Sequence, residues 1–271
     1  MIFAMFPAVR GHASRESLTA DSARGGGGPG ALSGSDPGAL PGALLERAAA
    51  PYRNAGRFAY HFARGKLRHD PVFRAILAQG LLRGDPHLLD LGCGQGLLGS
   101  WLAAAARCYA EGDWPRSWPQ PSSPRSFRGI ELMRSEVARA RCALGTGCEI
   151  VQADIRSAAF GNADAIVMLD VLHYLPEGAQ RAVLRRVRAA LPRGGTLLAR
   201  VGDGEAGVRF RITQWSDRLI LLARGHGLAP LNCHSIARWG ELLRECGFAS
   251  RPQPMSAGTP FANVLLIARA L

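Results

Sequence analysis

HLLDLGCGQGLLG, residues 87–99, decides the fold of this chain. Leu88, Leu89 and Leu91 make a short apolar run of the kind that lies buried on both faces of a parallel sheet. The run ends at Gly92-Cys93-Gly94-Gln95-Gly96, after which Leu97, Leu98, Trp101 and Leu102 recur at helical spacing. Strand, glycine turn and helix in that order aim backbone N–H groups and a helix N-terminus at whatever binds there. Two ligand classes fit the glycines. Gly94-x-Gly96-x-x-Gly99 satisfies the dinucleotide pattern. Asp90, two residues ahead of Gly92, instead puts a carboxylate at the strand's end, where it attracts positive charge and repels a pyrophosphate.

Working outward, the alternation of strand and helix repeats. Upstream, Asp70-Pro71 supplies an N-cap and a first helical residue, and Val72, Phe73, Ile76, Leu77 and Leu81 form the buried stripe behind them. Downstream, residues 111–124 hold four prolines and no periodicity, so they read as a loop inserted ahead of a strand at 127–130. That strand ends at Glu131, the place where a βαβ unit keeps the acid that accepts from ribose hydroxyls. The insertion explains a spacing from Gly92 longer than the usual ~20 residues, and it is expected to leave the ribose side rich in loop. Strands at 149–153 and 164–169 end at Asp154 and Asp170; a helix with Val183, Leu184, Val187 and Leu191 leads through Pro192-Arg-Gly-Gly195 to a strand at 196–201. A late helix from Ser235 and a final strand at 263–268, antiparallel at the sheet edge, complete the pattern. The expectation is an α/β fold: a Rossmann-like, doubly wound, seven-stranded sheet, mostly parallel with an antiparallel C-terminal edge hairpin, and helices on both faces.

Three segments are expected. Residues 1–41, rich in Gly, Pro and Ser, cannot bury enough apolar surface to order themselves and read as a disordered extension. Residues 42–84 read as a helical lid on the substrate side. There Tyr52, Phe58, Tyr60 and Phe62 interleave with Arg53, Arg57, Arg64, Lys66 and Arg68, and Phe58, Phe62, Tyr52 and Ala55 are expected to form the face laid on the domain. Residues 85–271 read as the enzyme domain, with a further helix inside 202–234 (Phe210, Ile212, Trp215, Leu219) covering the acceptor pocket. The formal charge is +12, from 33 basic and 21 acidic residues, which points to an acidic partner; Lys66 is the only lysine. The six cysteines form no C-x-x-C pair, so reduced thiols in the cytoplasm, with no metal site, are expected. No apolar run approaches the length of a membrane span.

LDLGCGQG at 89–96, GIEL at 129–132, VQADI at 151–155, MLDVLHYLP at 168–176 and PRGG at 192–195 together resemble the class I S-adenosylmethionine-dependent methyltransferase family. The resemblance implies S-adenosylmethionine as cofactor. It places the backbone of Gly92, Cys93, Gly94 and Gly96 along the methionine part, with Asp90 near the amino group. Glu131 goes to the ribose with Leu132 beside it, Asp154 and Ile155 go to the adenine, and Asp170 closes the methyl-donor side. His173 is the candidate general base, Tyr174 a substrate contact, and His226 and His234 further candidates. The Asn/Asp-Pro-Pro-Tyr/Phe motif of amino-group methylation is absent after the fourth strand, where Asp170-Val-Leu-His stands, which argues against nucleic acid. Residues 52–73 also resemble a bacterial methyltransferase group associated with aryl-polyene and fatty-acid-type pathways. That likeness implies O-methylation of an aromatic or acyl-type small molecule, presented on an acidic acyl carrier protein. A methyltransferase of RNA or protein, and a non-catalytic cofactor-binding relative, are the alternatives.

Overall fold

The computed structural model describes residues 40–204, 232–257 and 262–271. The expectations for residues 1–39, for the helix inside 205–231 and for His226 lie outside the described residues. Three helices open the described chain: α1 (Leu44–Ala49), α2 (Arg57–His69) and α3 (Pro71–Ala78). There follow β1 (His87–Leu91), α4 (Leu97–Ala110), β2 (Ser126–Glu131), α5 (Arg134–Leu144), β3 (Glu149–Gln152), β4 (Ala165–Leu169), α6 (Glu177–Ala190), β5 (Thr196–Gly202), α7 (Ile236–Glu245), β6 (Phe248–Pro254) and β7 (Asn263–Ala270). The strands form one seven-stranded sheet in the order β3-β2-β1-β4-β5-β7-β6. The first five are parallel, and β7 pairs antiparallel with both β5 and β6. The order reverses at β1, between β2 and β4, and in such sheets ligands bind outside the carboxyl ends of the strands at that point.

Apolar residues bury on both faces of the sheet. Leu88, Val167, Leu198 and Leu265 pack with the N-terminal helices and α4, while Leu89, Ile166, Leu197 and Leu266 pack with α6 and α7. Trp101 of α4, fully buried, donates its indole N–H to Phe73 O at 2.9 Å and meets the Phe73 ring edge-on at 6.2 Å. That contact ties α3 to α4. Asp70 caps α3 as expected, accepting from Val72 N at 3.1 Å with Pro71 behind it.

Three readings change. The buried face of α2 is Ala59, Ala63 and Leu67; Phe58 is 61% exposed, stacks on Phe62 at 6.0 Å and carries the Arg139 guanidinium over its ring. Small side chains at i and i+4 let α2 approach the glycine turn more closely than a row of phenylalanines permits. The 111–124 insertion lies at the amino edge of the sheet and not on the ribose side: Ser123 N donates to Gly84 O and Arg125 N to Pro86 O, just ahead of β1. A connection from the end of a crossover helix must reach the start of the next strand, so its excess length collects at that edge. The final strand lies one place inside the edge, and β6 is outermost. Its Pro252 and Pro254 lack N–H donors, which an edge strand tolerates.

Candidate functional site

The site is built first from the turn. Gly92, Gly94 and Gly96 all have φ between 55° and 79°. At Gly92 the requirement is double, since a Cβ there would lie 2.1 Å from Val171 Cγ2. At Gly94 a Cβ would meet nothing within 4 Å, so the left-handed backbone faces open space. Gly92 N and Cys93 N both donate to Ile130 O, at 2.8 and 3.2 Å, which hangs the turn on β2. Glu131, at the end of β2 and 9% exposed, accepts from Gly94 N at 2.9 Å through Oε2 and from Met133 N at 2.8 Å through Oε1. The carboxylate expected at the ribose thus also holds the glycine turn in shape.

Asp90 is buried beneath this turn. Burial, with the nearby Glu131 charge adding to it, pushes its carboxyl up to about 7. Burial likewise pushes the Cys93 thiol up, so the only cysteine of the turn is an inert filler, with Gly129 leaving room for its sulfur. From above, the N-terminal helices clamp the turn. Tyr52 OH donates to Gln95 O at 3.0 Å, Gln95 Nε2 donates to Ala59 O at 3.0 Å, and Ser100 Oγ donates to Ala48 O at 2.7 Å. Gln95 Oε1 is buried without a hydrogen-bond partner. Residues 48–59 are therefore tied to the turn and to the start of α4 by three hydrogen bonds.

On the adenine side the expected residues sit at the end of β3. Asp154 accepts from Arg156 N and Arg156 Nε, both at 2.8 Å, and this side-chain pairing holds its carboxyl below the usual range. Ile155 is buried and Leu132 is exposed, 54%, beside Glu131.

The β4 flank is different in kind. Asp170 has φ 60°, the only positive φ outside glycine among the described residues. Arg200 of β5, 1% exposed, donates from Nε to Asp170 Oδ1 at 2.7 Å and pairs through its terminal nitrogens with Asp170 and with Asp70. Lys66 of α2 lies 2.9 Å from Asp70 Oδ2 and 3.6 Å from Asp170 Oδ2. Burial alone would raise the Asp170 carboxyl, but the Arg200 guanidinium and the Lys66 ammonium outweigh it and hold it well below the carboxylate range. Arg200, Asp70 and Lys66 were not singled out from sequence as site members. A lone arginine inside the buried run TLLARVG was the available signal, because such a side chain requires a buried acid.

His173 follows in a 3₁₀ turn (Leu172–Tyr174), buried, with its ring 4.3 Å from that of Tyr174. Burial lowers its pKa, opposed by the Asp170 charge, so the neutral imidazole needed of a base is favoured. His234 is taken up structurally: its Nε2 lies 2.8 Å from Gln180 Oε1, and Gln180 Nε2 donates to the carbonyls of Leu172, Leu175 and Asn232. Among the described residues no group of His, Cys, Asp and Glu could hold a metal, none of the six cysteines is in a disulfide, and no helix is long and apolar enough to cross a membrane. Two open clefts of about 290 and 310 Å³ lie at the amino edge, lined in part by Arg83 and Arg269, away from the acids described above.

Comparison with known proteins bears on this geometry. Residues 89–197 match the family model described as a methyltransferase domain. A stretch of 128 residues is 35% identical to the carboxy-S-adenosyl-L-methionine synthase of Chromohalobacter salexigens, covering 45% of this chain and 42% of that protein. The chain thus spans less than half the length of that curated relative. Among solved structures, an O-methyltransferase family protein from Burkholderia thailandensis superposes with a TM-score of 0.53 at 18% identity, over 80% of this chain and 61% of that one. The magnesium protoporphyrin IX methyltransferase of Synechocystis, with bound SAH, gives 0.51 at 17% identity, over 85% and 98%. At these identities the structures speak for the fold.

Proposed function

From the premise that this chain carries a class I S-adenosylmethionine-dependent methyltransferase domain, we propose that it transfers a methyl group to oxygen on a small aromatic or acyl-type acceptor. The observation that carries this reading is the pairing of a left-handed glycine turn, open at Gly94, with the acids Asp90 and Glu131 at the switch point of the sheet. The donor set suits a sulfonium amino acid joined to a nucleoside. Acids face a cation, the left-handed backbone at Gly94 is open to a ligand, and the buried, unpartnered Gln95 Oε1 offers an acceptor to an ammonium. When bound, S-adenosylmethionine supplies an electrophilic methyl carbon.

The chain's own residues then position and exclude water. Glu131 accepts from the ribose hydroxyls, and Asp90 in its ionised form faces the amino group. Leu132 and Ile155 flank the adenine with Asp154, and the backbone of Gly92, Cys93, Gly94 and Gly96 lines the methionine part. Asp170, fixed by Arg200, bounds the methyl side, and the wall of α1 and α2 keeps the site dry, which favours a reaction in which charge is lost. His173, kept neutral by burial, takes the acceptor's proton through Nδ1 or Nε2. The acceptor is delivered in the cytoplasm on an acidic acyl carrier protein, matching the net charge of +12.

A second reading is favoured by the 35% identity to the carboxy-S-adenosyl-L-methionine synthase: the chain modifies S-adenosylmethionine itself. Incubation of the full chain with S-adenosylmethionine, a labelled carboxylic acid that readily loses its carboxyl group, and a panel of free phenols, aryl acids, carrier-bound aryl acids and RNA, followed by mass spectrometry, separates the two. Demethylated cofactor with a methylated oxygen acceptor supports the first. A carboxylated cofactor supports the second. Methylated RNA overturns both.

A further inference from the structure

Among 33 basic residues the chain has one lysine, and it stands at position 66, on the inward side of α2. Its ammonium reaches Asp70 at 2.9 Å and Asp170 at 3.6 Å, and these are its only ion-pair partners among the described residues. Behind the two carboxylates Arg200 is sealed off, 1% exposed, with its nitrogens spent on both of them. Of the four charged groups Lys66 is the most exposed, at 36%. The cluster also adjoins the glycine turn. Asp170 is followed by Val171, the side chain that a Cβ at Gly92 would strike at 2.1 Å. Lys66, Asp170, Val171 and Gly92 thus form a continuous line from the cover helix to the turn.

An ammonium has three N–H donors and no acceptor capacity. Two of them face Asp70 and Asp170. The third has no acceptor among the described residues. The compact, point-like ammonium fits the fork between two carboxylates with a donor to spare, where a planar guanidinium would span the fork and close it. Asp70, Asp170 and Arg200 together carry one net negative charge, which Lys66 balances from the open end of the cluster, where its spare N–H stays within reach of a ligand.

We propose that Lys66 is the acceptor-side cation: it receives an anionic oxygen of the acceptor, a phenolate or carboxylate, and holds it against the methyl-donor side of the site. This rests on the methyl-transfer reading above. A phenol acceptor gives up its proton to His173 before transfer, and a carboxylate arrives already ionised. The acceptor oxygen then forms the O–CH₃ bond as the S–CH₃ bond breaks, with sulfur keeping the electron pair. The sulfonium charge and the oxyanion charge vanish together, and Lys66 loses its hold on the neutral ester or ether, which leaves.

The test uses the full chain loaded with S-adenosylhomocysteine and two probes, 4-hydroxybenzoate and its neutral analogue 4-hydroxybenzamide, titrated by calorimetry. The parent should prefer the anion by about tenfold or more. Lys66→Met should lose that preference with cofactor affinity unchanged within about twofold, and Lys66→Arg, which keeps the charge and so the fold of the cluster, should lose part of it. Equal preference for the anion in the parent and both variants overturns the assignment, as does a parent that does not discriminate. Turnover keeps the two levels apart. If oxygen acceptors are methylated equally by parent and variants, Lys66 is not the cation and the methyl-transfer reading stands. If the parent methylates no oxygen acceptor, that reading falls, and the probe preference alone decides whether Lys66 binds an oxyanion.

Discussion

The two flanks of the site are made in opposite ways. The turn flank is local: β1, five glycine-turn residues and the start of α4 follow one another in sequence, and a single distant carboxylate, Glu131, pins them through Gly94 N. The β4 flank is assembled from positions 66, 70, 170 and 200, on α2, α3 and the ends of β4 and β5. One flank is shaped by backbone and tuned by desolvation, which leaves Asp90 near neutrality. The other is shaped by side-chain charge, which keeps Asp170 ionised in a left-handed conformation. The first is fixed by the local sequence; the second depends on the whole fold being in place.

The largest expected effect falls on the charged flank. Arg200→Met leaves Asp70 and Asp170 facing each other with Lys66 alone, and should cost about 3–5 kcal/mol of stability, read by urea unfolding. A loss under about 1 kcal/mol would mean the cluster is solvated and the contrast between flanks is overdrawn. Next comes the turn. Gly92→Ala meets both the Val171 clash and the φ of 74°, for about 1–2 kcal/mol from the backbone term alone. Pairing it with Val171→Ala should recover only the steric part, and full recovery would show that the left-handed backbone costs nothing there.

Asp90 sharpens the comparison through pH. Its folded value of about 7 lies above the ordinary 3.8, so its contribution to stability is present below about pH 4 and is lost as pH rises through 7. Asp90→Asn should therefore be more stable than the parent at pH 8. Ligand binding runs the other way. Only the ionised carboxylate attracts the amino group, so affinity for S-adenosylhomocysteine should rise about tenfold from pH 6 to pH 8 in the parent and stay flat in Asp90→Asn. A parent without that rise would remove Asp90 from the amino-group role. The smallest effect is expected at the opposite edge. Trp114 meets Trp118 and Tyr109 edge-on and donates to Pro119 O. Trp114→Ala should cost about 1 kcal/mol and leave cofactor affinity unchanged. A weakened affinity would return the insertion to the ribose side.

The same contrast explains what could be read from the chain beforehand. The turn flank was legible because its signals lie within 13 consecutive residues and an acid at each strand end, and the helix capped by Asp70 was legible for the same reason. The place of Arg200 and Lys66 in the site was not, because Arg200 pairs with acids 30 and 130 residues away, and Lys66, though four residues from Asp70, meets Asp170 only through the fold. The C-terminal hairpin was expected, but its strand β6 could not be placed, because Pro252 and Pro254 suppress its local signal and only its edge position makes them harmless. Phe58 misled for a related reason: apolar periodicity identifies a helix but does not say that the glycine turn beneath it has room only for alanines.

The most direct test is calorimetric titration of the full chain with S-adenosylhomocysteine, beside Glu131→Ala. Binding by the parent with a loss of about 100-fold or more in the variant is predicted, since two charge-assisted contacts of about 1.5–3 kcal/mol each are at stake. No heat with the parent, or equal affinity in both proteins, would contradict a cofactor held across the ends of β1 and β2.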